Sequence, residues 1–337
     1  MDEKTGTKQV PQYRTARPLD VTVLMGGPST ERDISLISGE AIASGLERCG
    51  HTVTRADIMP NDTSALNRDG VDVVFIALHG EFGESGEVQQ LCENRQLRYT
   101  GSGPYASQVS MDKAAAKQIL KRAGLATPDW MIIEEFHPPG RVVKWLDEIP
   151  PPAVVKPVTG GSSVDVIIAR DELQRAAAID MLLDIYGRAM LERYVPGREL
   201  TVGILGEQAL PVLEIVPDGD FYSKYAKYHD AARTRYVFDH GFSDDLCRQV
   251  QEAALLAHRV LNCRDMSRAD FILNDENVPE ILEVNTIPGF TSHSLLPMAA
   301  ARIGIGFDEL VDRIVQMAFQ RSPGPSKEIC CRNVQQA

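Results

Sequence analysis

The sequence predicts an α/β protein in which an N-terminal doubly wound parallel sheet is followed by two α+β domains. Three observations support this prediction. Apolar runs typical of buried strands alternate with helical segments over 19–100, as in parallel sheets with crossover helices. Proline-containing segments at 137–139 and 150–152 interrupt the middle of the chain,. Beyond 191, closely spaced strands predominate and include a hairpin,.

The composition narrows the class of protein. The 337 residues carry a formal net charge of −12, which argues against binding to nucleic acids or membrane surfaces because both attract basic proteins. The six cysteines show no paired CxxC spacing, a usage typical of a reducing compartment. Residues 1–18 lack the apolar stretch of a signal peptide, and no apolar run approaches the ~20 residues that span a bilayer. We therefore expect a cytoplasmic protein without nucleic-acid or membrane partners.

Three domains are predicted between two polar tails. The tails are 1–18 and 323–337, where polar sequence predicts flexible chain,. The predicted domains are an N-terminal α/β domain over 19–100, a central α+β domain over 101–190, and a C-terminal α+β domain over 191–322,.

In the first domain, an apolar strand over 21–25 leads into a double-glycine turn, and a helix is predicted over 31–48,. A second buried strand over 71–78 ends at His79 and Gly80. In parallel sheets, ligands bind beyond the carboxyl ends of the strands. Both turns are therefore candidate binding positions.

In the second domain, Ser110 is the predicted N-cap of a helix that Gly124 ends,. A short strand over 153–157 follows the prolines at 150–152. The third domain is predicted to contain two strands and two helices, over 198–205, 209–216, 244–261 and 307–320,.

The loop after the strand at 153–157 has the composition of a phosphate-binding loop. Gly160 and Gly161 allow backbone amides to approach a phosphate closely, and the Ser162 and Ser163 hydroxyls add donors,. Lys156 adds a positive charge at the strand end. The spacing is not that of a Walker A motif, since no GK[ST] follows. A simple hairpin turn would explain the glycines as well.

Two residues of the first domain are candidates for substrate binding. Glu31 lies in the first turn of a predicted helix behind two glycines, where a carboxylate commonly compensates the helix dipole,. Its functional interpretation is a partner for an ammonium group. His79 follows a buried strand in a glycine-rich loop, a position that favours binding over a purely structural role.

Two further segments are candidates for enclosing a nucleotide. Glu192, Arg193 and Glu199 surround a Pro-Gly turn, where backbone groups would contact a flat base and carboxylates would accept sugar hydroxyls. An ordinary surface linker is the alternative. An aromatic and basic segment contains Lys227 and Tyr228. Its two interpretations are a lid over a charged substrate and an exposed loop.

The predicted hairpin over 268–285 carries a candidate metal site. Side chains alternate along a strand, so Glu283 and Asn285 face the same way, and Asp270 on the partner strand is placed to face them,. Two carboxylates and a carboxamide oxygen suit Mg²⁺. The alternative is a solvated acidic surface, which is the ordinary setting of such residues.

Taken in order, these segments resemble the D-alanine–D-alanine ligases of the ATP-grasp superfamily. The resemblance covers about 21–320 and rests on motifs including GGPSTERDISLISG, HGEFGESG, SMDK, E.Y.PGRELTVGILG, SRADF and EVNTIPGFTSHSLLPMAA. It implies the three-domain ATP-grasp fold, in which two α+β domains enclose the nucleotide. Each motif alone is weak, whereas the ordered set is specific.

The resemblance also implies residue roles. The positions that match nucleotide contacts are Lys113, Lys156, Gly161, Ser163, Glu192, Arg193, Val195, Glu199 and Lys227. Those that match magnesium ligands are Asp270, Glu283 and Asn285. Those that match the site of the first D-alanine are Glu31, which binds its ammonium, Ser162 and Tyr228, which hydrogen-bond that glutamate, and His79. Those that match the transition-state and second D-alanine sites are Arg268, the Gly289 amide, Ser294 and Leu295.

The implied activity is an ATP-dependent ligation of two D-alanine molecules for peptidoglycan precursor synthesis. The carboxylate of the first D-alanine takes the γ-phosphate to form an acyl phosphate, which the amine of the second D-alanine attacks. Family members use two Mg²⁺ ions, with Mn²⁺ as a substitute, and are often homodimers. The implied partners are therefore ATP, D-alanine and a second copy of the chain.

The sequence departs from the family pattern at four positions. Ser85 replaces an aspartate, Asp165 replaces a glycine, and Lys224 and Tyr225 replace a tyrosine and a glutamate. These changes leave the metal and phosphate residues intact but put the lid and the substrate range in question. The alternatives are a ligase that joins D-alanine to D-lactate or D-serine and a non-catalytic ATP-binding protein. An amine nucleophile is favoured by the Lys-Tyr pair on the lid.

Overall fold

The computed structural model describes residues 17–134, 146–217, 234–291 and 294–322, and every structural statement refers to these. They form three sheets with helices packed between and around them. Among the described residues, no helix is long and apolar enough to cross a membrane.

The first sheet is parallel and has the strand order β2-β1-β3. Its elements are β1 (Asp20–Met25), α1 (Arg32–Arg48), β2 (Thr52–Asp57), β3 (Val73–Ile76) and α2 (Glu87–Asn94). Alternate residues of β1 bury opposite faces: Val21 and Val23 pack toward α1, while Leu24 packs in the cluster that includes α2. Helices thus cover both faces, which confirms the predicted doubly wound layer.

The second sheet is antiparallel in the order β4-β7-β5-β6. Its strands and associated helices are α3 (Pro104–Met111), α4 (Lys113–Arg122), β4 (Trp130–Glu134), β5 (Ala153–Lys156), β6 (Ile167–Ala169), α5 (Glu172–Tyr186) and β7 (Arg188–Arg193). The apolar face of this sheet packs against α5 through residues such as Val155, Leu182 and Leu191.

The third sheet is also antiparallel, in the order β11-β10-β8-β12-β13, with β9 paired to β8. Its elements are β8 (Gly197–Leu205), β9 (Gln208–Ala209), β10 (Leu213–Val216), β11 (Arg235–Val237), α6 (Asp244–Val260), β12 (Met266–Asn274), β13 (Pro279–Asn285), α7 (Leu295–Arg302) and α8 (Phe307–Gln320). The strand predicted over 209–216 is interrupted around Pro211, because proline has no N–H for a ladder hydrogen bond,.

One helix cap was predicted at the wrong residue, and several elements were not predicted, β2 and α5 among them. The N-cap of α4 is Asp112, whose carboxylate accepts from the backbone N–H of Ala115 at 3.0 Å. The predicted cap, Ser110, lies inside α3. Strand β2 was not predicted, since it is an edge strand with a mostly exposed and polar pattern.

Helix α8 packs on the first sheet, although the sequence groups it with the third domain. Its buried face, which includes Val311 and Ile314, shares a hydrophobic cluster with α1 and with Val21 of β1. A buried pair also links the two regions, because His51 Nε2 lies 3.0 Å from the Asp312 carboxylate. The end of the described chain therefore completes the N-terminal layer.

Candidate active site

The hairpin of β12 and β13 sets the position of the candidate metal ligands. Asp270 pairs directly with Glu283, and Arg268 pairs with Asn285. A register irregularity follows between Asp270 and Phe271. Such bulges commonly redirect side chains next to active sites. The strand pairing therefore brings the two acidic side chains and the carboxamide to one end of the hairpin.

Positive groups surround these carboxylates. Arg268 donates two hydrogen bonds to Asp270, from Nε at 2.9 Å and Nη2 at 2.7 Å. The Thr201 hydroxyl donates to the same carboxylate at 2.6 Å. Lys113 Nζ lies 3.8 Å from Glu283 Oε2. Both acidic side chains thus face cationic groups across short distances.

The donor chemistry fits a magnesium ion. Within the described part of the chain, no three His, Cys, Asp or Glu side chains converge on a metal site. The set here is instead two carboxylates and the Asn285 side-chain oxygen, which accepts from the Ile287 amide at 2.9 Å. All three donors are hard oxygens, the type that Mg²⁺ prefers. The residues therefore match the ion that the sequence predicts.

Two pockets meet beside this hairpin. The first pocket lies at the carboxyl end of the parallel sheet and is lined by residues that include Glu31, His79, Ser162, Arg268, Asn285, Gly289, Ser294 and Leu295. The second pocket lies between the two antiparallel sheets and is lined by residues that include Lys156, Ser163, Glu192, Arg193, Val195, Glu199 and Asp270. Four residues line both pockets and are called the shared wall: Lys113, Gly160, Gly161 and Glu283.

Glu31 connects the first sheet to the glycine loop of the second. The hydroxyl of Ser162 donates to the Glu31 carboxylate across 131 residues of sequence. Glu31 directly precedes α1, but its side chain makes no capping hydrogen bond to that helix. The carboxylate lines the first pocket, so helix capping does not explain its position.

His79 is buried and held by hydrogen bonds on several sides. Its Nε2 lies 3.1 Å from the Ser38 hydroxyl, and its Nδ1 lies 3.5 Å from Glu84. Its backbone amide donates to Ser35 and its carbonyl accepts from Ser29. The imidazole therefore has a fixed orientation in the lining of the first pocket.

Glu84 is a pocket residue that the sequence reasoning missed. Burial raises the pKa of its carboxyl, an effect that the neighbouring His79 opposes and that Glu31 reinforces. Two carboxyl groups therefore line one end of the first pocket. The available signal was the acidic residue inside the segment HGEFGESGE.

The turn before α7 closes the other end of the first pocket. Ser294 is the N-cap of α7, and its hydroxyl accepts from the Thr291 amide at 2.8 Å. A Cβ on Gly289 would lie only 2.7 Å from the Ser294 hydroxyl oxygen, so a larger residue at that position would displace this hydroxyl. The turn therefore brings the Gly289 backbone and the Ser294 hydroxyl to one place.

A buried cluster of charges lies behind the second pocket. Glu192 accepts from Lys156 at 2.6 Å with one carboxylate oxygen and from Lys117 at 2.5 Å with the other. Burial opposes ionisation of Glu192, but the two ammonium groups outweigh it and hold the pKa of the carboxyl below its usual value. Both oxygens of the Glu192 carboxylate are thus occupied by lysines.

The four departures from the family pattern fall in two described loops and one undescribed segment. Ser85 accepts from the Phe82 amide at 3.1 Å. Asp165 adopts a left-handed backbone with φ of 54° and accepts from the Tyr186 hydroxyl. The two lid departures, Lys224 and Tyr225, lie outside the described residues, as do the candidate site residues Lys227 and Tyr228.

Two family models match the chain. The D-ala D-ala ligase N-terminus model matches residues 51–102, and the D-ala D-ala ligase C-terminus model matches residues 119–316. The second match alone spans more than half of the chain and includes β12, β13 and the residues that line the second pocket, apart from Lys113.

Curated relatives agree with these models. The chain is 40% identical over 313 residues to the D-alanine--D-alanine ligase of Synechococcus sp. (strain JA-3-3Ab), which covers 90% of this chain and 95% of that protein. It is 40% identical over 301 residues to the D-alanine--D-alanine ligase of Syntrophotalea carbinolica, covering 89% and 96%.

Solved structures share the fold. The D-alanine--D-alanine ligase from Bacillus anthracis complexed with ATP has a TM-score of 0.77 and 29% identity, covering 89% of this chain and 97% of that chain. The VanG D-Ala:D-Ser ligase from Enterococcus faecalis has a TM-score of 0.79 and 23% identity, covering 90% and 100%. The second likeness concerns the fold alone.

Proposed function

The chain belongs to the D-alanine–D-alanine ligase family, and we infer that it is an enzyme that joins two D-alanine molecules in an ATP-dependent reaction. The curated relatives with 40% identity carry this activity in their names. These relatives do not favour a ligase that uses D-lactate or D-serine as the second substrate. They also do not favour a non-catalytic ATP-binding role. The dipeptide formed by the enzyme serves peptidoglycan precursor synthesis.

The shared wall is the observation that carries this proposal. Lys113, Gly160, Gly161 and Glu283 line both pockets, so a phosphate held from one side faces a carboxylate held from the other. Phosphoryl transfer depends mainly on such positioning and on charge neutralisation. The first pocket then binds the two D-alanine molecules, and the second binds ATP.

The first step transfers the γ-phosphate of ATP to the carboxylate of the first D-alanine, giving an acyl phosphate and ADP. We assign the phosphates to Lys113, Lys156, Gly161 and Ser163. The base and sugar are assigned to Glu192, Arg193, Val195 and Glu199, with Lys227 as a further contact. Glu31, supported by Ser162 and Tyr228, binds the ammonium of the first D-alanine, and His79 lines its subsite. The hydrogen bond from the Ser162 hydroxyl to the Glu31 carboxylate supports a fixed carboxylate at this position.

In the second step, the amine of the second D-alanine attacks the acyl phosphate and phosphate leaves. Arg268 and the Gly289 amide are assigned to the oxygen that becomes negative at the attacked carbon. Preorganised donors of this kind supply large rate effects. Ser294 and Leu295 are assigned to the carboxylate of the second D-alanine, which lies at the N-terminus of α7 where backbone N–H groups favour an anion,. Enclosure is needed because water would hydrolyse the acyl phosphate.

Asp270, Glu283 and Asn285 would hold magnesium, as two ions with Mn²⁺ as a substitute. When bound, the metal would neutralise phosphate charge. Because Arg268 is hydrogen-bonded to both oxygens of Asp270, this guanidinium must share or release that carboxylate when the metal site is formed. A homodimer and a cytoplasmic location, expected from the resemblance and the composition, also stay predictions.

The test is phosphate release with ATP and Mg²⁺ over a panel of D-alanine, D-lactate, D-serine and L-alanine. We expect stimulation by D-alanine and formation of the dipeptide, identified by mass spectrometry. Stimulation only by a mixture containing D-lactate or D-serine would replace the assignment with that alternative. Absence of any stimulation by D-alanine would refute the proposed function.

A further inference from the structure

Lys117 is a buried lysine that has no role in the mechanism above. It lies on α4, four residues after Lys113, and its side chain is 1% exposed. It lines neither the first nor the second pocket. A lysine is rarely buried unless it is paired, and here its partner is Glu192 at 2.5 Å.

Glu192 connects this lysine to the nucleotide pocket. Its other carboxylate oxygen accepts from Lys156 at 2.6 Å, and Lys156 lines the second pocket. The side chains of Glu192 and Lys156 are 2% and 7% exposed. Two ammonium groups thus share one carboxylate, and the buried trio has a net charge of +1.

The sharing determines how much positive charge faces the pocket. If Glu192 paired with Lys156 alone, the pair would be neutral, and the carboxylate would hold the ammonium away from an incoming phosphate. Because Lys117 occupies one oxygen of Glu192, the positive charge of Lys156 is only partly compensated. Buried charges interact more strongly than exposed ones because water screens them less.

We propose that Lys117 is a positioning residue for ATP, which acts through Glu192 to keep the Lys156 ammonium directed at the phosphates. This inference rests on the proposed function, since it concerns the same nucleotide site. It assigns Lys117 no contact with ATP, and it separates affinity for the phosphates from affinity for the adenosine part.

The charged surroundings of Lys117 give the proposal a pH dependence. Burial lowers the pKa of Lys117 to about 8; Glu192 and Glu280 oppose this effect, and Lys156 reinforces it. Arg193 forms an ion pair with Glu280, and the Trp130 ring lies 5.3 Å from the Lys117 ammonium and near that of Lys121. Since the charged form of a lysine exists below its pKa, the positive charge is lost as pH rises through about 8.

The experiment compares ATP and adenosine binding by calorimetry for wild type, Lys117→Met and Lys117→Arg. We expect Lys117→Met to weaken ATP binding by roughly 5-fold to 150-fold, the usual range of coupling to a group that does not touch the ligand. Adenosine, which lacks phosphates, should bind with less than about a 3-fold change. Lys117→Arg should retain most of the ATP affinity. Lys121→Met, one turn away and exposed in an ion pair with Asp129, is the matched control.

The pH profile is a second readout that does not depend on folding of the methionine variant. From about pH 7.5 to about pH 9, wild-type ATP affinity should fall while the Lys117→Arg affinity stays flatter, because arginine remains charged. Equal losses of ATP and adenosine affinity in Lys117→Met, or superimposable pH profiles, would overturn the inference. Phosphate release by the wild type with D-alanine is measured in parallel, so failure of the proposed function is seen separately.

Discussion

The two pockets are built from different kinds of structure. The first pocket is lined by loops together with residues of several helices and of the β12–β13 hairpin, and its polar groups come from segments as far apart as Glu31 and Ser294. The second pocket is lined mainly by strands of two antiparallel sheets, with apolar residues such as Val154 and Ile215 between the charged ones. Under the proposed function, the small substrate would be held by segments that meet only in the folded chain, and the nucleotide by residues that alternate along strands.

The charges of the two pockets are also arranged differently. In the first pocket, Glu31 and Glu84 lie together, and burial raises the pKa of Glu84. In the second pocket, Glu192 lies between two lysines that lower the pKa of its carboxyl. The two carboxyl groups of the first pocket suit the ammonium of an amino acid, and Lys156 in the second pocket suits phosphates,. The residues of the shared wall line both pockets and so lie between these two sites.

Removing the carboxylate of the shared wall should lower kcat more than any other substitution considered below. Glu283→Gln is expected to lower kcat by roughly 10³-fold or more, since several kcal/mol of charge stabilisation by the metal would be lost. Steady-state phosphate release measures this effect. Glu276→Gln, in the exposed turn of the same hairpin, is the matched control. Full activity of Glu283→Gln would refute both the metal assignment and the role of the wall.

The next largest effect is expected at Arg268. Arg268→Gln should lower kcat by about 10²–10³-fold, the usual cost of one donor to a developing negative charge. The affinity for ATP should change much less, because Arg268 lines the first pocket and not the second. Single-turnover kinetics and ATP titration separate the two quantities. A loss confined to ATP affinity would contradict the division between the pockets.

Glu31→Gln should act on the first pocket selectively. Losing a charge-assisted interaction with an ammonium group is expected to raise KM for D-alanine by roughly 10-fold to 100-fold. ATP binding in the absence of D-alanine should be unchanged. Asp33→Asn, in the first turn of α1 two residues after Glu31, is the control for helix effects. An equal change in both affinities would show that the pockets are not independent.

The smallest effect is expected at the scaffold of the second pocket. Asp112→Ala removes the N-cap of α4, the helix that carries Lys113 and Lys117, and should lower the free energy of unfolding by about 0.5–2 kcal/mol. Asp112→Asn retains a capping oxygen and should lose less. Urea denaturation provides the comparison. No difference between the two variants would argue against Asp112 as the cap.

Local periodicity predicted the parts of the site that lie on strands. The spacing of Glu283 and Asn285 placed them on one side of β13, and hairpin pairing brought Asp270 opposite Glu283. The parallel first sheet followed from the alternation of apolar strands and helices. These features depend on residues close together in the sequence, so one amino-acid sequence is sufficient to predict them.

Tertiary contacts were beyond the sequence reasoning. Lys117 and Glu192 are 75 residues apart, and nothing in α4 marks Lys117 as buried rather than exposed. The cap of α4 was misplaced because Ser110 and Asp112 are both favoured N-cap types, and only the backbone path decides between them. The link between Ser162 and Glu31 was expected from the family resemblance alone.

The packing of α8 on the first sheet has a consequence for biosynthesis. Strands β1 to β3 and α1 leave the ribosome early, but the apolar face that α1 shares with Val311 and Ile314 is only partly covered until Phe307–Gln320 has been made. During translation this layer therefore exposes apolar surface, which chaperones can bind and protect from aggregation. Nascent chains stalled before residue 307 should be more readily digested by proteases in the first sheet than released full-length protein.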